Sequence, residues 1–182
     1  INHRPDLTTK PVIKFSVLMA IFDSENLEFD DFRWAAYNIE GDPLFTLSFD
    51  NDDFSISYEL DDGKGLIATG EFFENAIIYE LSVSMDFARN RWSAWLDDSL
   101  DKIVLVQDRP ITTTAKALTL GDIDAIWAPH SFTFPGDNAM LFDEYVLLAE
   151  GSEVPRIVLP PQSQTVAAGA REHVGRAGVR RR

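Results

Sequence analysis

"IIYELSVSMDF" (residues 77–87) alternates strictly: Tyr79, Leu81, Val83 and Met85 fall on one face, and Glu80, Ser82, Ser84 and Asp86 on the other. A period of two belongs to an extended strand, because successive side chains point to opposite sides of a sheet. One apolar face and one polar face describe a strand packed against a core on one side only. The pattern predicts that Leu81, Val83 and Met85 are buried, with Ser82 and Ser84 turned away.

The same signature recurs in both directions from this stretch. "VIKFSVLMAIF" (12–22) places Phe15, Val17, Met19 and Ile21 on one face. "FRWAAYN" (32–38) follows, and "LFTLSF" (44–49) and "FSISYEL" (54–60) flank the turn "DNDD". Asp62-Gly63 in "DDGKG" (61–65) marks a hairpin into "LIATG", since glycine accepts positive φ without steric cost. "RWSAWL" (91–96) and "KIVLVQ" (102–107) form a further hairpin around "DDSLD", and "KALTLGDIDAIW" and "AMLFDEYVLLAE" close the series. About ten short strands with turn signals between them, and no long amphipathic helix, predict an all-β, two-sheet antiparallel sandwich. No internal repeat is present.

Composition limits the partners. Thirteen Phe, four Trp and four Tyr within 182 residues supply a core and argue against disorder. The net charge of −14 is uneven: "REHVGRAGVRRR" at the end holds five Arg and one Glu, which leaves residues 1–170 with 11 bases against 29 acids. A body this acidic repels phosphate backbones and anionic membrane surfaces, so nucleic acid is no partner for the main domain. No apolar run has the length of a membrane span, which argues against membrane insertion. The absence of cysteine excludes disulfides and thiolate metal sites.

"EGSEVPRIVLPPQSQTVAAGA" (150–170) is rich in Pro and Gly and weakly periodic. It reads as a linker, so the expected division is a sandwich over 1–150 and a separate segment over 151–182. The Arg-rich end is read either as a basic arm for nucleic acid or acidic partners or as the product of a reading-frame change.

The early "IKFSVLMAIFDS", the central "YELSVSMDFARNRWSAWLDD" and the closing "LTLGDID…PGDNAMLFDEYVLLAE" resemble laminin-G-like, concanavalin A-like jelly-roll domains over roughly residues 10–150. The tail "VPRIVLPPQSQTVAAGA" resembles the first strand of bacterial immunoglobulin-like domains, with its P-x-x-Q-x-V-x-x-G pattern, and the resemblance stops after Ala170. These resemblances imply a jelly-roll fold, neighbouring immunoglobulin-like domains in the parent chain, and an extracellular or cell-surface setting.

The resemblance also brings one enzyme into view. Related β-glucanases carry E-h-D-h-E or E-h-D-h-h-E on one strand, and retaining hydrolysis needs two carboxyls about 5–5.5 Å apart. In "GDIDAIW", Asp122 and Asp124 match the first two positions, but the third is Ile126 or Trp127 and cannot donate a proton. The acid triplet is incomplete, which weighs against catalysis. No G-x-S-x-G nucleophile elbow and no phosphate-binding glycine loop is present. For calcium, "PGDN" (135–138) offers Asp137 and Asn138 in a glycine-containing loop of the kind such domains use at a rim, with a plain structural turn as the alternative. Zinc is disfavoured, because His3, His130 and His173 are far apart in sequence.

Aromatic residues beside polar ones are the remaining signal, since sugars stack on flat rings and hydrogen-bond at their edges. In "RWSAWLD", Trp92, Ala94 and Leu96 share one face, which turns Trp95 outward. Trp34 goes with Phe32 and Ala36, which turns Arg33 and Tyr37 outward, and Trp127 continues the apolar face of Ile123 and Ala125 and is assigned to the core. The candidate ligand set is therefore Trp95, Arg33, Tyr37, Asp122 and Asp124. The expected function is non-catalytic carbohydrate binding or adhesion within a larger secreted or surface protein. A ligand-free spacer domain and a glycan-cleaving enzyme are the alternatives.

Overall fold

The structure is a computed structural model, and it describes residues 8–151. The expectations for a linker, an immunoglobulin-like strand and a basic tail fall after Gly151, outside the described residues. Ten strands occur among the described residues: β1 (Val12–Phe22), β2 (Asp31–Tyr37), β3 (Pro43–Phe49), β4 (Ser55–Leu60), β5 (Ile67–Phe72), β6 (Tyr79–Asp86), β7 (Arg91–Asp97), β8 (Lys102–Arg109), β9 (Asp122–Ala128) and β10 (Ala139–Glu150). They form two antiparallel five-stranded sheets, ordered β10-β1-β6-β7-β8 (sheet A) and β5-β4-β3-β2-β9 (sheet B). No helix among the described residues is long and apolar enough to cross a membrane.

The alternation in β6 holds as read. Leu81, Val83 and Met85 are buried and Ser82 and Ser84 are not. Phe15, Val17, Met19 and Ile21 of β1 are buried beside them, paired in register as Phe15–Val83 and Val17–Leu81. Aromatic rings tie the two sheets together. Trp92 of sheet A stacks on Phe45 of sheet B at 3.9 Å between centroids, and Phe15 meets Trp34 at 5.3 Å. Each such pair is worth about 0.5–1.5 kcal/mol beyond the area it buries.

β10 departs from simple alternation. Its register with β1 slips between Ser16 and Leu18, where Glu144 adopts a positive φ of 52°. The extra residue in this bulge reverses the parity of the strand. Met140 before it, and Tyr145, Leu147 and Ala149 after it, consequently all pack against the core.

The stretch "KALTLG", expected to be strand, is instead a crossing segment, and β9 begins only at Asp122. Gly121 is the reason. Its N–H donates to the Tyr37 carbonyl at 2.8 Å, and a Cβ there would lie 2.2 Å from the Asn38 carbonyl oxygen. Only a residue without a side chain lets the chain pass this close before it joins β2. At the same end of the strands, on the far side of β3, Gly63 turns the β4–β5 hairpin with φ of 67°.

Candidate functional site

Register fixes which side chains leave sheet B for solvent. Phe32, Trp34 and Ala36 of β2 point into the core, so Asp31, Arg33, Ala35 and Tyr37 line the outer face. On one side β9 pairs Ile126 with Arg33, Asp124 with Ala35 and Asp122 with Tyr37. On the other, β3 pairs Ser48 with Arg33 and Thr46 with Ala35, and β4 adds Ser57 and Glu59 opposite Ser48 and Thr46. Four sequence candidates, Arg33, Tyr37, Asp122 and Asp124, therefore share one face.

Trp95 does not join them. It pairs with Ser82 on the outer face of sheet A, half-buried, with the Lys102 ammonium 5.0 Å from the ring centroid. The parity reading was right that Trp95 leaves the core, but the sandwich separates it from the other four. Trp127 corrects the reading in the opposite sense. It keeps the inward parity of Ile123, yet it is 50% exposed because β9 is an edge strand, and its Nε1–H donates to Asp30 at 2.9 Å.

The head of β2 carries groups that the sequence pattern did not single out. Asp30 is buried and gathers the loop after β9, accepting N–H groups from His130 at 2.9 Å and Gly136 at 2.8 Å. Its neighbour Asp31, only 5% exposed, faces outward. The two Asp31 oxygens separately contact His130 Nε2 at 2.7 Å and Arg33 Nη2 at 3.0 Å. Asp50, one residue past the Phe32–Phe49 pair, completes a group in which Asp31, Asp50 and His130 each offer a donor atom within 4.8 Å of the others. Such a set could hold a metal ion, but the Arg33 guanidinium already bound to Asp31 opposes a second cation there. The visible clue was the doublet Asp30-Asp31 at a strand head. Alternation requires one of the two to face out, and only the fold supplies His130.

Electrostatics follow from this crowding. Burial opposes the charged form of His130, but its bond to Asp31 and the charges of Asp31, Asp50 and Asp30 outweigh this and raise its pKa above 6.5. Tyr37 is raised by burial and by the Asp124 charge, so it remains a hydroxyl donor. Tyr145, packed on Phe15 at 4.9 Å, is pushed up to about 12 by burial and by the charges of Asp122 and Asp124. Arg33 Nε and Ser48 Oγ, at paired positions, are shielded from water without a hydrogen-bond partner.

The proposed calcium residues lie in the loop beside this end. Asp137 Oδ1 accepts bonds from Ser24 Oγ at 2.6 Å, Glu25 N at 2.9 Å and Asn26 N at 3.3 Å. The Ser24 bond first, and then the backbone bonds, hold its pKa below the ordinary value against the opposing effect of desolvation. Asn138 is buried and its Nδ2 donates to the Asp30 carbonyl at 2.7 Å, while its Oδ1 has no protein donor. Asp137 thus fastens two loops, and Asn138 ties the second of them to the head of β2.

No family model matches the chain, and no curated protein sequence matches it. Among solved structures it is similar to a tetrameric galectin from the ball sponge Cinachyrella sp., at 9% identity and TM-score 0.53, covering 82% of this chain and 96% of that one. It is also similar to a sialidase (12% identity, TM-score 0.51, 71% of this chain) and to Trypanosoma rangeli sialidase (14% identity, TM-score 0.53, 78% of this chain). The chain spans only 10% and 21% of those two sialidase chains. At such identities the likeness concerns the fold alone: the described residues form the antiparallel jelly-roll sandwich that galectins and sialidase β-sandwich domains share.

Proposed function

We propose that this chain is a non-catalytic carbohydrate-binding module whose ligand lies on the outer face of sheet B. The observation that carries this reading is the concentration on that one face of Asp31, Arg33, Tyr37, Asp122 and Asp124, with His130 at its end. Carboxylates accept from sugar hydroxyls, the guanidinium and tyrosyl groups donate to them, and the Tyr37 ring offers an apolar surface. The galectin likeness supports the reading by analogy of fold. Catalysis is disfavoured because Asp124 stands exposed on an edge strand, whereas a carboxyl that protonates a leaving group needs shielding from water. The laminin-G-like resemblance and the immunoglobulin-like pattern after Gly151 support a place within a larger adhesive protein at the cell surface or outside the cell.

The test is a glycan array probed with the purified chain, with and without calcium, beside Tyr37→Ala and Asp124→Ala. Retention of a glycan by the wild type and its loss in both variants is the expected result. If no glycan is retained, the spacer reading takes its place. Release of reducing ends from a retained glycan would restore the enzyme.

A further inference from the structure

We propose that the outer face of sheet B selects uncharged sugars and turns away sialylated, uronic and sulfated ones. This inference rests on the carbohydrate-binding reading and concerns the charge of its ligand.

The charged groups on this surface come from β2, β4 and β9 and from the segments after β3 and β9. β2 supplies Asp31 and Arg33, β4 supplies Glu59, and β9 supplies Asp122 and Asp124. Asp50 follows β3, and the loop after β9 adds His130. The two cations on the face itself share one carboxylate. Arg33 holds one oxygen of Asp31 at 3.0 Å, and His130 holds the other at 2.7 Å. Lys116 lies beside the Tyr37 end, where its ammonium donates to the carbonyl of Pro43, the residue paired with Tyr37, at 2.7 Å. Sheet B therefore presents carboxylates in excess, with its guanidinium neutralised by a neighbour.

Recognition of an anionic sugar needs the reverse arrangement, a cation free to form a charge-assisted pair with the ligand carboxylate or sulfate. Here an incoming anion would have to compete with Asp31 for Arg33 and sit among Asp122, Asp124 and Glu59. The net −18 of residues 1–170 extends the same repulsion to long range. A neutral hydroxyl meets no such barrier. Each carboxylate accepts one or more hydroxyl donors, and the Tyr37 hydroxyl donates in return.

The experiment uses the full chain and paired oligosaccharides that differ only by a terminal sialic acid or a sulfate, at low and high salt. The neutral member should bind at least about tenfold more tightly, a difference near 1.4 kcal/mol. High salt should narrow the gap by screening the repulsion. The triple variant Glu59→Gln, Asp122→Asn, Asp124→Asn should narrow it as well. If that variant loses neutral binding too, the salt dependence of the wild type still decides. Equal or tighter binding of the charged member by the wild type would overturn the selection while leaving carbohydrate binding intact. Failure of every pair member to bind would remove both readings together.

Discussion

Asp31 and His130, 99 residues apart in the chain, meet at 2.7 Å at one end of the outer face of sheet B. The contact joins the head of β2 to the loop after β9. It also sets the position of Arg33, which shares the same carboxylate.

This contact should matter to binding more than to folding. His130→Ala removes a half-exposed side chain and leaves Asp31 its bond to Arg33, so it should cost only about 1 kcal/mol of stability. It should still weaken glycan retention severalfold, because Asp31 loses one of its two anchors. Calorimetry beside array binding would measure both, and a loss confined to melting temperature would make His130 structural.

Leu81 tests the core. It is 0% exposed at the centre of β6, so Leu81→Ala should destabilise the protein by about 2–5 kcal/mol in urea unfolding. A change below about half a kcal/mol would contradict its central position.

Asp61 tests the pH response. Burial alone would raise its pKa, but bonds from the hydroxyls of Thr112, Thr113 and Thr114 and from the Thr113 N–H at 2.6 Å hold it far below 3.8. A depressed folded-state pKa contributes stability that is fully present above 3.8 and is lost as the pH falls through the folded value. Thermal melts down an acid series should therefore show a steeper decline in the wild type than in Asp61→Ala. Parallel curves would mean the threonine nest contributes no pH dependence.

Trp95 and Tyr37 distinguish the two outer faces. Trp95→Ala should leave glycan retention unchanged and lower the melting temperature slightly, through the lost Lys102 contact. Tyr37→Ala should do the opposite. The reverse outcome would move the ligand to sheet A.

Asp137 separates a loop fastener from a metal ligand. Asp137→Ala should lower the melting temperature equally with and without calcium, since its Oδ1 bonds the turn at Ser24–Asn26. A melting temperature that rises with calcium in chelator-stripped wild type, and not in Asn138→Ala, would assign this loop to the ion.

The amino-acid sequence by itself determined most of the strands, and the faces of those that alternate without a break. The two-residue period at Tyr79–Met85 and Phe15–Ile21 is a local property, and burial on one side follows from it directly. It also turned Arg33, Tyr37, Trp95, Asp122 and Asp124 outward. Only the tertiary structure decided which outward residues share a surface, because parity within a strand carries no information about which sheet that strand joins. The order β3-β2-β9 gathers Arg33, Tyr37, Asp122 and Asp124, while the position of β7 in the other sheet removes Trp95. Strand position within the sheet likewise exposed Trp127 on an edge, and the bulge at Glu144 turned both halves of β10 inward. The meeting of Asp31, Asp50 and His130 lay beyond any local pattern, since it depends on the β2–β3 register and on a loop fastened by Asp30.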